Sequence, residues 1–109
     1  MRPISSPMDT LATKRGRVAA AQNQGERLAA LNDLAAALYD YDSNEAVEVA
    51  NEALLLAQAT DDALGRAWAM HNRGWALSSL GRLDEALDDQ LSARAHFELE
   101  GNMQGVANA

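Results

Sequence analysis

Laid against itself at a shift of 40 residues, the chain falls into one gapless register. Gly25, Gly65 and Gly105 align, as do Ala29, Ala69 and Ala109. Asn32 meets Asn72, Ala36 meets Ala76, and Ala53 meets Ala93. The dipeptide Glu45-Ala46 meets Glu85-Ala86. One coincidence means little, but a single register holding all of these means an internal repeat. A fixed period of this size is the mark of a helical solenoid, in which each unit buries its apolar face only by stacking on the next.

Each repeat reads as two helices. Pro3 and Pro7 are the only prolines, and the apolar residues, 48% of the chain, are mostly Ala and Leu. Both are strong helix formers, and the strongest breaker is missing for a hundred residues. This argues against a β-sandwich or barrel. In the second repeat Asp61 or Asp62 offers an N-cap, because a short carboxylate accepts from free N–H groups and opposes the dipole. Leu64, Ala67, Trp68, Trp75, Ala76 and Leu80 then recur at close to helical spacing. Gly81 supplies the stop. Asp84 is the next cap candidate, with a second helix from Glu85 to Leu99. In the first repeat the helices run from about Glu26 to Leu38 or Tyr39 and from about Glu45 to Gln58, across the polar turn Asp40 to Asn44. Gly74, Ala76, Ala86 and Ala93 are expected at the seam between helices, with Leu77, Leu83 and Leu87 filling the gaps.

The expected architecture is therefore all-α, an α-solenoid of antiparallel helix hairpins. Residues 1–7 read as a disordered arm and 8–24 as an N-terminal helix with a thin stripe of Met8, Leu11, Val18 and Ala19. Repeats follow at 25–64 and 65–104. Residues 105–109 resemble the start of a third repeat, which suggests the N-terminal piece of a longer protein. About two repeats fall short of the three or so that stand alone, so homo-oligomers through the exposed solenoid ends are expected.

The stretch Asn72-Arg73-Gly74-Trp75-Ala76-Leu77-Ser78-Ser79-Leu80-Gly81-Arg82-Leu83-Asp84-Glu85-Ala86-Leu87, followed by Ala93, resembles a tetratricopeptide repeat. That family has a small residue in mid helix A, Ala two residues later, Leu-Gly at the turn, Ala opening helix B and another Ala seven residues on. The first repeat keeps Asn32, Ala36, Ala46 and Ala53 but has Leu34 for the helix Gly and Tyr41 for the turn Gly. The 40-residue period and the run Gly101-Asn102-x-x-Gly105 resemble the long-period subgroup of bacterial signalling proteins.

Charge narrows the function classes. The formal net charge is −7. Arg2, Lys14, Arg15 and Arg17 against Asp9 make residues 1–25 +3, while five Arg against fifteen acids make residues 26–109 −10. Such a body repels nucleic acid. The cluster Lys14-Arg15-Gly16-Arg17 reads as a solvated turn or arm, or as a contact for phosphate or an acidic surface. No apolar run approaches the roughly 20 residues that cross a bilayer. With no Cys and with His71 and His96 on separate helices, neither a thiolate nucleophile nor a His-Glu-x-x-His zinc site is available. Asp61-Asp62 and Asp88-Asp89 diverge by about 100° on a helix and read as caps and a solvated face. No enzyme, cofactor or metal is expected, and a cytoplasmic setting fits.

Trp68, His71, Asn72, Trp75 and Ser79 share one helical face. The resemblance places them, with Ser78, on or near the concave wall lined by helix A. It implies that an Asn at position 72 holds the backbone of an extended peptide. The first-repeat equivalents include Leu28, Leu31, Asn32, Ala35, Leu38 and Tyr39. Each residue also has a packing reading: Trp75 and Trp68 between repeats, His71 in the core, Asn72 on neighbouring backbone. The candidate groove is Trp68, His71, Asn72, Trp75, Ser79, Asn32, Leu28 and Tyr39. Leu and Trp walls with an acidic rim suit an apolar or basic protein or peptide, with no Lys for a C-terminal carboxylate. The expected function is a non-enzymatic protein or peptide interaction module. The alternative is a dimerising or sensory input domain for a nucleotide cyclase, kinase or transcription regulator.

Overall fold

A computed structural model describes residues 7–101. Five helices follow in order: α1 (Pro7–Ala20), α2 (Gln24–Leu38), α3 (Ser43–Ala59), α4 (Ala63–Ser79) and α5 (Leu83–Leu99). The described residues are all-helical, in a chain of antiparallel neighbours. Helix α1 lies against α2, α2 against α3, and α4 against α2, α3 and α5. The expectations for residues 1–6 and 102–109 lie outside the described residues. No described helix is long and apolar enough to cross a membrane.

Helix starts follow the short polar side chains. Asn23 Oδ1 accepts from Glu26 N at 2.8 Å, Asp42 Oδ1 from Glu45 N at 3.1 Å, and Asp62 Oδ1 from Gly65 N at 2.7 Å. Asp84 does not cap α5. Arg82 stands at the cap without a capping side-chain bond, its guanidinium pairing with Glu85 instead, and Asp84 and Glu85 lie inside the first turn, where they still oppose the dipole. The register explains this, because Arg82 occupies the place of Asp42, and an arginine has no acceptor to offer.

Two turns are alike. After α4, Gly81 adopts φ +79, Gly81 N donates to Ser78 O at 3.0 Å and Arg82 N to Leu77 O at 2.9 Å. After α3, Asp61 takes the same left-handed place at φ 54, with Asp62 N donating to Ala57 O at 2.9 Å. This is the glycine-type helix ending, and at Asp61 an aspartate carries it. After α2 the turn is different. Tyr41, at the register position of Gly81, needs no positive φ, and Asp42 N returns to Leu38 O at 2.7 Å.

The core follows from small residues against large ones. Helix α3 buries only alanines, Ala46, Ala50, Ala53 and Ala57, at i, i+4, i+7 and i+11. That smooth face lets Leu28 and Leu31 of α2 and Ala69 of α4 close on it. Leu11 of α1 joins Leu34, Leu38, Ala46 and Ala76, with Val18 beside them. Ala67, Ala93 and Phe97 form the core of the α4–α5 pair. Gly74, Ala76, Ala86, Ala93 and Leu77 are buried as the seam requires. Leu83 and Leu87 are not in it: they are 63% and 57% exposed. Gln90 fills the gap instead. A Cβ on Gly74 would lie 2.6 Å from Gln90 Nε2, and that amide donates to His71 O at 3.3 Å.

Charged residues lace the helices together. Lys14 and Arg17 meet Asp33 of α2 at 2.7 and 3.7 Å, and Arg15 pairs with Glu45 of α3. The basic cluster therefore bridges α1 to the acidic body rather than standing as a solvated arm. The paired Arg15 holds the Glu45 carboxyl below the usual carboxylate range. The neighbours Asp88 and Asp89 part company. Asp88 is exposed, but Asp89 is 7% exposed. Arg73 grips it through Nε and Nη2, both at 2.7 Å, while Nη1 reaches Asn51 Oδ1 of α3 at 2.8 Å. Asp89 is thus a structural ion-pair partner and not part of a solvated face.

Candidate functional site

Three of the candidate groove residues come together on α4. Trp68, His71 and Trp75 form an edge-to-face series, with ring centroids 5.5 Å apart for the first two and 6.4 Å for the last two. The series runs on at both ends. Trp68 meets Phe97 of α5 at 4.8 Å, and Trp75 meets Tyr39, the C-cap of α2, at 6.0 Å. Such offset geometries suit aromatic quadrupoles. Trp68 and His71 are half-buried, while Trp75 is 43% exposed.

The other candidates are placed differently. Asn72 is 5% exposed, and its Nδ2 donates to Asn32 O at 3.1 Å. Asn32 in turn donates through Nδ2 to Gly65 O at 3.2 Å. The two asparagines therefore stitch α2 to α4 and do not present a free amide to a peptide. Asn32 Oδ1 is buried without a partner. Leu28 is core, with its Cδ2 lying 2.5 Å from where a Cβ on Gly65 would stand. Ser79 is exposed, and its hydroxyl donates to Trp75 O of its own helix at 3.2 Å.

A hollow of about 330 Å³ opens between the starts of α2 and α4. Ala29, Asn32, Leu64 and Trp68 wall it, and Asp62 stands at its edge. A second, about 270 Å³, lies between Trp75, Leu83 and Leu87 on the outer side of the α4–α5 pair. A third, about 440 Å³, borders Arg73, Arg82, Glu85 and Asp89, whose charges pair among themselves.

The model of the tetratricopeptide repeat family matches residues 26–98, well over half of the chain. The chain belongs to the tetratricopeptide repeat family. No curated protein and no solved structure gives a significant match. Tetratricopeptide repeats are in general protein–protein interaction modules, which accords with a site made of aromatic faces rather than of paired acids and bases.

Within this tetratricopeptide repeat, His71 has a measurable signature. Burial pushes its pKa below the ordinary imidazole range, with the nearby Gln90 amide opposing in part. An unfolded chain titrates this residue near 6.5. Below that pH the unfolded state binds a proton that the folded state refuses, so stability is full above about 6.5 and falls as pH drops toward the folded value. We expect the urea midpoint to decline between about pH 7 and about pH 5.5, and His71→Gln to flatten that slope. Glu45 acts in a lower window, since its contribution is present above its unfolded value of 4.5 and lost as pH falls through its depressed folded value. An unchanged slope in His71→Gln would show that the ring is not withheld from protonation.

Three contributors were missed by sequence reasoning: Phe97, the Arg73–Asp89–Asn51 set, and Leu64 as a groove wall. Phe97 had a usable signal, being the single Phe in the chain and four residues after Ala93.

Proposed function

We propose that this tetratricopeptide repeat chain is a non-enzymatic interaction module that takes an apolar, basic peptide segment in the hollow between α2 and α4. The observation that carries the reading is that hollow of about 330 Å³, with Leu64 and Trp68 as walls and Asp62 at its edge. Tryptophan offers a large apolar face at low entropic cost, as binding hot spots require. The surplus of ten acids over bases in residues 26–109 raises the local concentration of cationic segments.

The test is selection from a random peptide library on the intact chain. Enriched peptides should combine Leu, Ile or Phe with Lys or Arg, and their affinity should fall as salt rises. Trp68→Ala and Leu64→Ala should weaken binding roughly 10- to 100-fold, with helicity kept at least in Leu64→Ala. Acidic winners, or affinity indifferent to both substitutions, would reject this site. Asn72→Ala is expected to cost stability rather than affinity, since its amide is held inside.

The 40-residue period supports the long-period subgroup, and with it a role as an input module of a larger bacterial signalling protein.

A further inference from the structure

Helix α1 is fastened to the body mainly by charge. Among its described side chains only Leu11 is buried, in the cluster of Leu34, Leu38 and Ala46, and Val18 is half-buried. Its three cations all find acids of the body. Lys14 and Arg17 share Asp33 of α2, and Arg15 grips both carboxylate oxygens of Glu45 at the start of α3. Leu11, Lys14, Arg15 and Val18 stand at i, i+3, i+4 and i+7, so one stripe carries an apolar residue at each end and two cations between. The seat is its complement, apolar under Leu11 and Val18 and acidic at Asp33 and Glu45. Seven residues of helix set the two apolar ends about 10 Å apart.

This fastening is weak by construction. Partly exposed ion pairs each contribute little and weaken as salt rises. Asp33 is 46% exposed and Arg15 47%. Gly16 sits inside the helix, where glycine is the poorest helix former after proline. No packing demands it, since a Cβ there would meet nothing within 4 Å. Among the described residues α1 packs on α2 and on no other helix, so it can leave without parting any other pair. Segments with few buried apolar contacts open at low free energy while the rest stays folded.

We propose that α1 is an exchangeable latch: it lifts from α2 as one unit, and the seat it vacates takes a basic amphipathic helix of another protein. Such a helix repeats the pattern of α1, with an apolar residue, cations three and four positions on, and a second apolar residue at the seventh. Fifteen acids against five arginines in residues 26–109 steer it toward the body. A second copy of the chain would bring a net charge of −7 to that same acidic surface. Leu34, Leu38, Asp33 and Glu45 do not line the α2–α4 hollow, so the inference stands apart from the peptide-binding reading.

Hydrogen exchange of the intact chain is the first test. Raising salt from about 50 to about 500 mM should lower the protection of α1 amides at least about tenfold and leave those of α3 and α4 unchanged. Amides of α1 that do not respond to salt overturn the latch. The second test is binding of a fluorescein-labelled peptide of residues 7–20, read by anisotropy. It should bind at least about tenfold more tightly when Leu11→Ala loosens the resident helix. Gly16→Ala should do the reverse and weaken the peptide about fivefold by steadying that helix. Asp33→Asn with Glu45→Gln should abolish binding. Leu64→Ala should leave it unchanged, so this inference and the α2–α4 reading fail separately. A peptide that does not bind the Leu11→Ala chain overturns the seat. Loss of all helicity in Leu11→Ala overturns the proposal as well, because a latch leaves the body folded.

Discussion

Phe97→Ala is expected to lower the free energy of unfolding by about 3 kcal/mol, the lower end of the usual range for a buried phenylalanine. The ring is fully buried and is the largest such side chain among the described residues. It closes on Ala67 and Ala93, and no neighbouring alanine can extend into the space left behind. Trp68 and His71, whose rings lie 4.8 and 6.5 Å away, are half-buried and can tilt inward. Partial collapse of that kind is what separates the low end of the range from the high end. Urea unfolding followed by far-UV circular dichroism reads the loss. A change under about 1 kcal/mol would mean that the α4–α5 pair is not held by this ring. Natural domains have only about 5–15 kcal/mol in all, so the loss is a large share of the whole.

Asp89→Ala should cost about 2–3 kcal/mol. Removing one partner of a buried pair costs more than the pair is worth, because the other charge is left desolvated. Here Arg73 would lose two of its three acceptors and keep Asn51. Its side chain is a quarter exposed, so water recovers part of the loss and the full 3–5 kcal/mol is not expected. The double change Arg73→Met with Asp89→Leu should restore most of the stability, since apolar replacements of similar volume leave nothing stranded. Four denaturation curves, for the parent, both single variants and the double, give the coupling directly. Additive losses would show that the contact carries no coupling energy.

The repeat register made the hairpins and their turns legible, because glycine, aspartate and alanine act locally. Asp62 caps as its chemistry demands, and Gly81 stops α4 as its φ allows. What failed were properties decided across the register rather than along one helix. Leu83 and Leu87 fit a seam by spacing, yet the place against Gly74 is filled by Gln90 and both leucines stay exposed. Helix geometry makes Asp88 and Asp89 diverge, but the one that turns inward is chosen by Arg73, sixteen residues away. The helical spacing puts Asn72 on α4. Whether its amide faces a ligand or Asn32 depends on how closely α2 and α4 approach, and Gly65 and Ala69 set that distance.

Helix α5 has one further property. Among the described residues its backbone packs on α4 and on no other helix. In mechanical terms it is a lever on a single hinge, and the Arg73 guanidinium, between Asp89 and Asn51, is the strut that ties that hinge to α3. Any torque applied to α5 reaches the α2–α3 pair only by way of α4.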